Sequence, residues 1–354
     1  MILTVVGARP QFIKAAALSR VLRKEQKEVL VHTGQHYDAN MSEVFFTELD
    51  IPRPDYNLGI AGGSHAVMTA RMLVALEEVM QKEKPDKVLV YGDTNSTLAA
   101  ALAAVKLQIP LAHVEAGNRV GTLKNPEEVN RILTDHVSTW RFACVQSAME
   151  ELKKENLQNG AHLVGDPMFD AYLYYKDVSE NRPLNDLFDL DGNALTLPRD
   201  FYYMTCHRQE NTDDLNKLDQ ILQAMDSLDA PTVYPVHPRN RGDVIKLMGE
   251  KGYKQILFVQ PVGYLSSIYM VSHAKQVVTD SGGVQREAFF AGVQCVSVLD
   301  FVCWPETMVD NRNQLSAPDK DRIIAALSKE MRIDPAYQPF GDGRACEKIT
   351  SLLR

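Results

Sequence analysis

Cysteine is scarce in this chain and poorly arranged for cross-linking. There are 5, at Cys144, Cys206, Cys295, Cys303 and Cys346, an odd number with wide spacing and no C-x-x-C pair. That pattern excludes a disulfide framework and a zinc knuckle as organising devices, and a reducing cytoplasm is the expected location. Long hydrophobic runs are missing as well. No stretch approaches the roughly 18 apolar residues of a membrane span, so no membrane partner is expected. The opening M-I-L-T-V-V-G-A-R-P carries no basic leader before its short apolar run; a first strand is expected there, not a signal peptide. Positive charge is in deficit: 38 Lys and Arg stand against 46 Asp and Glu, a formal net charge of -8. Such a balance fits poorly with a nucleic-acid backbone, and no nucleic-acid partner is expected. Compact metal-ligand spacing is also lacking. His113, His207, His237 and His273 fall on separate elements without an HExxH pattern, so no metal is expected. No internal repeat, heptad or low-complexity tract interrupts the chain.

What is present is an ordinary globular composition, 45% hydrophobic and 24% charged, in 354 residues. That length exceeds one comfortable core and predicts two domains. Apolar strands without strict alternation recur between helical patterns of ten or more residues. In the first half these strands are Ile2–Val6, Val29–His32, Lys87–Tyr91 and Leu111–Val114. Helices are expected over Phe12–Arg23, Val67–Lys82, Thr97–Lys106 and Glu127–His136, with Gly7–Pro10 as a turn. The second half repeats the alternation from Phe201–Thr205 through Thr232–Pro235, Ile256–Val259, Gln276–Thr279 and Gln294–Val298. The pattern is that of parallel sheets covered on both faces, an α/β fold of two Rossmann-like doubly wound domains facing a cleft. Boundaries are expected near 1–168 and 169–335, with 336–354 as a C-terminal segment.

In open parallel sheets ligands sit beyond the carboxyl ends of the strands. Each strong polar cluster falls in such a place. The segment S-G-G-V-Q-R-E, Ser281–Glu287, follows a buried strand and opens a helix. Ser281, Gly282 and Gly283 leave the first-turn N–H groups and the helix dipole open to an anion. With Glu287 one turn further in, facing a hydroxyl, the segment suits a nucleotide diphosphate. Arg9 offers a donor fork in the first turn, and Lys14 lies one helical turn after Pro10. Gln35 and His36 end the second strand. Asp93 is either a helix cap or a functional acid. Glu115 precedes Ala116-Gly117, where backbone can approach a ligand closely. Glu127 stands at a helix start, where capping is the competing role. His207-Arg208 follows a strand and fits a diphosphate contact, whereas His237 is equally consistent with polar packing. Cys206 beside His207 invites a thiol-nucleophile reading, but adjacent residues on a strand point in opposite directions.

Taken together, G-A-R-P-Q-F-I-K (Gly7–Lys14), T-G-Q-H (Thr33–His36), G-D-T-N-S-T-L-A (Gly92–Ala99), H-V-E-A-G (His113–Gly117), P-E-E-V-N-R (Pro126–Arg131), H-R-Q-E-N (His207–Asn211), P-V-H-P (Pro235–Pro238) and T-D-S-G-G-V-Q-R-E-A (Thr279–Ala288) resemble the non-hydrolysing UDP-N-acetylhexosamine 2-epimerase family, in family order and over nearly the whole chain. The resemblance implies a glycosyltransferase-B-like arrangement, with the C-terminal segment returning to the first domain, and a homodimer. It implies inversion at C2 of a UDP-linked 2-acetamido sugar without NAD, metal or any other cofactor, by elimination of UDP to a 2-acetamidoglycal and re-addition. By family match Asp93, Glu115 and Glu127 are the acid–base carboxylates. Arg9, Lys14 and His207 would surround the diphosphate, Ser281, Gly282 and Gly283 would bind phosphate, and Glu287 the ribose. Gln35, His36, Arg208 and His237 lie in stretches linked in some relatives to a secondary or regulatory UDP-sugar site.

Two departures from the family pattern stand out. The loop after H-V-E-A-G is shortened to N-R-V-G-T-L-K-N. The common R-D-T-T-E-R-P-E is replaced by L-D-F-V-C-W-P-E (Leu299–Glu306), losing arginines at Leu299 and Trp304. Trp304, together with the D-T-N-S-T and H-R-x-E-N-T-D forms, resembles the branch acting on modified sugars, such as UDP-2,3-diacetamido-glucuronic acid or 6-deoxy-N-acetyl sugars. Competing readings are a UDP-sugar glycosyltransferase, a hydrolysing epimerase and a non-catalytic nucleotide-sugar binding protein.

Overall fold

Strand β1, Ile2–Val6, is buried along its whole length and pairs in parallel with a strand on either side, placing Val5 opposite both Val31 and Val90. Burial of both faces explains why its sequence shows no polar alternation. The computed structural model describes residues 1–35, 49–182, 184, 186–302 and 304–354. Within them the chain forms two units, Met1–Leu173 with Gln338–Arg354, and Tyr174–Tyr337. The chain passes from one to the other inside the helix Pro167–Glu180.

In the first unit β1 is joined by β2 (Glu28–His32), β3 (Tyr56–Asn57), β4 (Lys87–Tyr91), β5 (Leu111–Val114), β6 (Trp140–Ala143) and β7 (Ala161–Leu163). They form one parallel sheet in the order β3-β2-β1-β4-β5-β6-β7. Its core includes Leu3, Val5, Val31, Met72, Leu76, Val88 and Val90, with the alanine-rich face of the helix Asn95–Lys106 packed closely on the sheet. The first helix begins at Arg9, not after Pro10. A proline is tolerated there because first-turn N–H groups have no intrahelical acceptor. The C-terminal helix Ala345–Leu352 packs against this helix, Arg9–Leu22. Its open end is held by Asp170, whose carboxylate accepts the N–H groups of Ala345 and Cys346 at 3.1 and 2.7 Å.

The second unit repeats the plan with β8 (Tyr202–Thr205), β9 (Thr232–Pro235), β10 (Ile256–Val259), β11 (Val277–Thr279), β12 (Cys295–Val298) and β13 (Asn313–Ser316). The order is β10-β9-β8-β11-β12-β13, again all parallel. One face packs Met204, Tyr234, Val278 and Val296 against Leu218, Leu222 and Ile323; the other packs Tyr203, Val233 and Val277 against Met270, Val271 and Ala288. Both units are therefore doubly wound α/β domains. No helix among the described residues is long and apolar enough to cross a membrane.

Candidate active site

In each sheet the strand order reverses once, between β1 and β4 and between β8 and β11. Such reversals open a crevice at the carboxyl ends of the two strands, because their following segments turn to opposite faces. The loops after β1 and β4 carry Arg9 and Asp93; those after β8 and β11 carry His207 and Ser281.

The first crevice is braced by small residues and one amide. A Cβ at Gly7 would overlap Ser96 Oγ and Thr33 Oγ1, so only glycine lets the loop after β1 approach the helix Asn95–Lys106. Gln11 is 2% exposed, and its Oε1 accepts the N–H groups of Gly7 and Ala8 at 2.8 and 3.1 Å. Its Nε2 donates to the Tyr91 carbonyl and to Thr97 Oγ1 at 2.6 and 2.9 Å. One side chain thus ties the loop after β1 to the end of β4.

Two of the acids, Asp93 and Glu115, follow the neighbouring strands β4 and β5. Thr94 is the cap of the helix Asn95–Lys106, accepting the Thr97 N–H, which releases Asp93 from the capping role. The Asp93 carboxylate instead accepts from Arg131 Nη2 at 2.6 Å, and Asn130 Nδ2 donates to its carbonyl at 2.8 Å. Arg131 also donates to Glu128 at 2.8 Å. Glu115 pairs with the buried Lys14 ammonium. Its backbone is in the left-handed region, φ +71°. That conformation is costly for a residue with a side chain and collects at functional sites. Glu127 occupies the first turn of the helix Pro126–Val137, exposed, while Asn125 does the capping. Its neighbour Glu128 is structural: buried, it accepts the N–H groups of Val120 and Gly121 at 2.9 and 2.8 Å, which fixes the shortened loop.

Gln35 Oε1 accepts both the Ser96 N–H, at 3.1 Å, and the Ser96 hydroxyl, at 2.7 Å. Its side chain thereby lies at the start of the helix Asn95–Lys106. His36 lies outside the described residues. His113 is fully buried, with Nδ1 2.7 Å from Asp135 Oδ1 and Nε2 2.7 Å from the Gly92 carbonyl. In the H-x-E motif, then, the histidine faces the protein interior and only Glu115 is partly open to solvent.

In the second unit Asp280 organises the site. Its carboxylate accepts the N–H groups of His207 and Arg208, each by way of Oδ2 at 2.9 and 2.8 Å, and lies 3.1 Å from His207 Nδ1. Burial alone would raise its carboxyl. The His207 ring and the two N–H groups outweigh that and hold it at about 2. Fixing Nδ1 this way leaves the other ring nitrogen of His207 for a ligand. Arg208 is clamped by a 2.8 Å bond from Nε to the Asp280 carbonyl and lies over the Phe301 ring at 5.5 Å. His237 stacks on His207, centroids 5.9 Å apart, and accepts the Arg239 N–H. Ser281 caps the helix Gly282–Ala291 through the Val284 N–H, so Gly282 and Gly283 present the first turn. Glu287 is buried in the second turn, 4% exposed. Arg286 stacks over Trp304 at 4.1 Å. Burial beside Asp280 pushes the Cys206 thiol well up, which removes it as a thiolate nucleophile. Among the described residues no cluster of His, Cys, Asp or Glu is placed to hold a metal ion.

Lys14 and Glu115 are thus in contact, Asp280 gathers His207 and Arg208, and His237 stacks on His207. Asp93 is joined to Arg131. Arg131, Asp135 and Asp280 were passed over in reading the sequence, although Arg131 and Asp280 lie inside quoted motifs.

The chain belongs to the UDP-N-acetylglucosamine 2-epimerase family, whose model matches residues 20–354. A UDP-2,3-diacetamido-2,3-dideoxy-D-glucuronate 2-epimerase from Pseudomonas aeruginosa is 46% identical, with 99% of both chains covered. A UDP-N-acetylglucosamine 2-epimerase homolog from Methanococcus maripaludis is 44% identical over 100% of this chain and 99% of its own. The crystal structure of Methanocaldococcus jannaschii UDP-GlcNAc 2-epimerase in complex with UDP-GlcNAc and UDP matches with a TM-score of 0.88 at 36% identity, covering 100% of this chain and 99% of that one.

Proposed function

We propose that this protein reversibly epimerises C2 of a UDP-linked 2-acetamido sugar. The observation that carries the reading is a pair of acids at the carboxyl ends of neighbouring strands, each with its own cation: Asp93 with Arg131 after β4, and Glu115 with Lys14 after β5. In this mechanism a carboxylate takes the C2 proton as the C1–O bond breaks, and the bond electrons leave with UDP. The product of that half-reaction is a 2-acetamidoglycal. A carboxylic acid returns a proton to C2 from the opposite face, and the UDP oxygen re-forms the bond to C1. Asp93, Glu115 and Glu127 supply the acid and base. The C2 proton is weakly acidic, so stabilising the departing diphosphate must lower the barrier substantially.

That work falls to Arg9, Lys14 and His207, with the N–H groups of the Ser281–Gly283 turn at the phosphate and Glu287 at the ribose. The Lys14 ammonium serves two anions in turn, Glu115 before reaction and the leaving oxygen during it. Arg208, Gln35, His36 and His237 belong to a secondary UDP-sugar contact in this reading. A modified sugar is the favoured substrate, of the class named for the Pseudomonas aeruginosa relative. Support comes from Phe301 and Trp304 near the position of the lost arginines, each ring engaged by an arginine, Arg208 or Arg286.

We read the enzyme as a cytoplasmic homodimer. The four described cysteines are free thiols, which suits a reducing compartment. Light scattering should give twice 39.6 kDa; a monomer mass would remove the dimer. For the activity itself, proton NMR of a panel of UDP-sugars incubated with the enzyme should report interconversion of C2 epimers. Stoichiometric UDP release, with a free sugar or a glycoside, would replace this reading by a hydrolase or a transferase.

A further inference from the structure

We propose that His113 is the positioning residue of this site, a buried imidazolium that locks the loops bearing Asp93 and Glu115 to one another. The inference rests on the reading of those two residues as the acid–base pair. It begins with a count of protons. The Gly92 carbonyl, 2.7 Å from Nε2, can only accept. Asp135 Oδ1, 2.7 Å from Nδ1, belongs to a carboxylate already crowded with donors. Its Oδ2 accepts the Gly117 N–H at 3.0 Å and Arg119 Nη1 at 2.8 Å. Burial works to raise this carboxyl, and the Arg119 guanidinium and the Gly117 N–H both act against it to keep the group ionised. Asp135 is therefore an acceptor at both oxygens. A neutral imidazole has one N–H and would leave one of these two contacts as acceptor against acceptor. Only the imidazolium donates to both.

Carboxylates stand beside the cations around it. His113 and Asp135 are each fully buried and face each other. Arg119 bridges Asp135 to Glu155, donating to the latter from Nε at 2.6 Å. His136, next to Asp135 on the same helix, lies 3.0 Å from Glu155, and Arg141 on β6 donates to the Asp135 carbonyl at 2.6 Å. An isolated charge at such depth would be costly; a paired and hydrogen-bonded one is tolerated.

The geometric consequence lies at the two ends of the dyad. Nε2 holds the carbonyl of Gly92, the residue before Asp93. Through Asp135 the same ring holds the N–H of Gly117, two residues after Glu115. Between those anchors Glu115 keeps its left-handed backbone, φ +71°, and Gly117 its φ of +85° against the Ala148 carbonyl. A strained carboxylate-bearing turn persists only when its surroundings fix it. His113 reaches no substrate atom in this account; it acts through Gly92 and Asp135.

Wild-type protein labelled with 15N-histidine should show at pH 7 a one-bond N–H correlation from each ring nitrogen of His113, and both should vanish in His113→Gln. Glutamine can donate to only one of the two anchors. The kcat of this variant should fall by up to about 100-fold, the scale of rate lost when reacting groups are misplaced, while KM and the UDP Kd change little. Should His113→Gln fail to fold, Asp135→Asn carries the kinetic arm and shifts the same resonances for assignment. A single N–H on His113, or a variant with wild-type kcat, overturns the proposal. Deuterium exchange at C2 in the same preparations separates the two layers. Absence of exchange in the wild type overturns the acid–base reading itself; equal exchange in wild type and variant overturns the positioning role alone.

Discussion

At Asp280 desolvation and charge pull against each other, and charge prevails. The buried carboxyl sits at about 2 beside His207, against an ordinary value of 3.8. A carboxylate depressed on folding adds stability above its unfolded value, and that contribution is lost as pH falls from about 4 to about 2. Its size is roughly 2 kcal/mol. Asp280→Asn should therefore unfold at lower urea concentration at pH 7, by about that amount, and the gap to wild type should close below pH 4. An unchanged gap across that range would show that the carboxylate charge is not what stabilises. The acids of the first unit make a kinetic prediction. Asp93→Asn, Glu115→Gln or Glu127→Gln should each lower kcat by about 100-fold or more, the usual scale for a lost general acid or base, with UDP affinity nearly unchanged in calorimetry. Lys14→Met should lower kcat comparably and weaken UDP as well, because in the proposed mechanism its ammonium serves both groups. Residue identities and strand-end positions made Lys14, Glu115 and Ser281 legible in the sequence. Their partners were not, since the pairs are formed across the fold: His113 and Asp135 lie 22 positions apart, and His207 and Asp280 lie 73 apart.

Elements with a strong period or a largely apolar run were readable, and strands interrupted by polar residues were not. The strands Lys87–Tyr91 and Leu111–Val114 stand in the structure as the sequence suggested. The alanine-rich helix starts at Asn95, two residues before the expected Thr97. Strands β3, β6, β7 and β13 escaped notice because polar residues such as Asn57, Arg141, His162, Asn313 and Gln314 interrupt their short apolar runs. Gly7–Pro10 read as a turn because proline suggests a break, although the first turn of a helix accepts it. The C-terminal helix offers a test at this scale. Its first N–H groups are held by Asp170, a residue 175 positions earlier. Asp170→Ala should cost on the order of 1 kcal/mol, as for other lost caps. Hydrogen exchange should quicken over Ala345–Leu352 while β8–β13 keep wild-type protection. Equal quickening in both units would contradict an effect confined to that helix.

Across the whole molecule the same design occurs twice, a parallel sheet reversing its order at the strands that carry the polar loops. One copy presents carboxylates paired with cations; the other presents a helix start and an oriented histidine. That contrast supports the proposed assignment of proton transfer to residues of the first unit and of diphosphate binding to residues of the second. The alternation of strand and helix announced both sheets, and the motif order announced the family. The sequence of the loop Leu299–Glu306 suggested a departure from the family pattern, but the stacking of Arg286 on Trp304 needed the fold to become visible. The central claim is that a protein carboxyl group removes and replaces the hydrogen on C2 while UDP is away from C1. Incubation of a turned-over UDP-2-acetamido sugar in D2O, followed by proton NMR of the recovered sugar nucleotide, tests it most directly. The expected result is one deuterium at C2 of the product epimer, with free UDP a minor species. Complete epimerisation with the original hydrogen retained at C2 would contradict it.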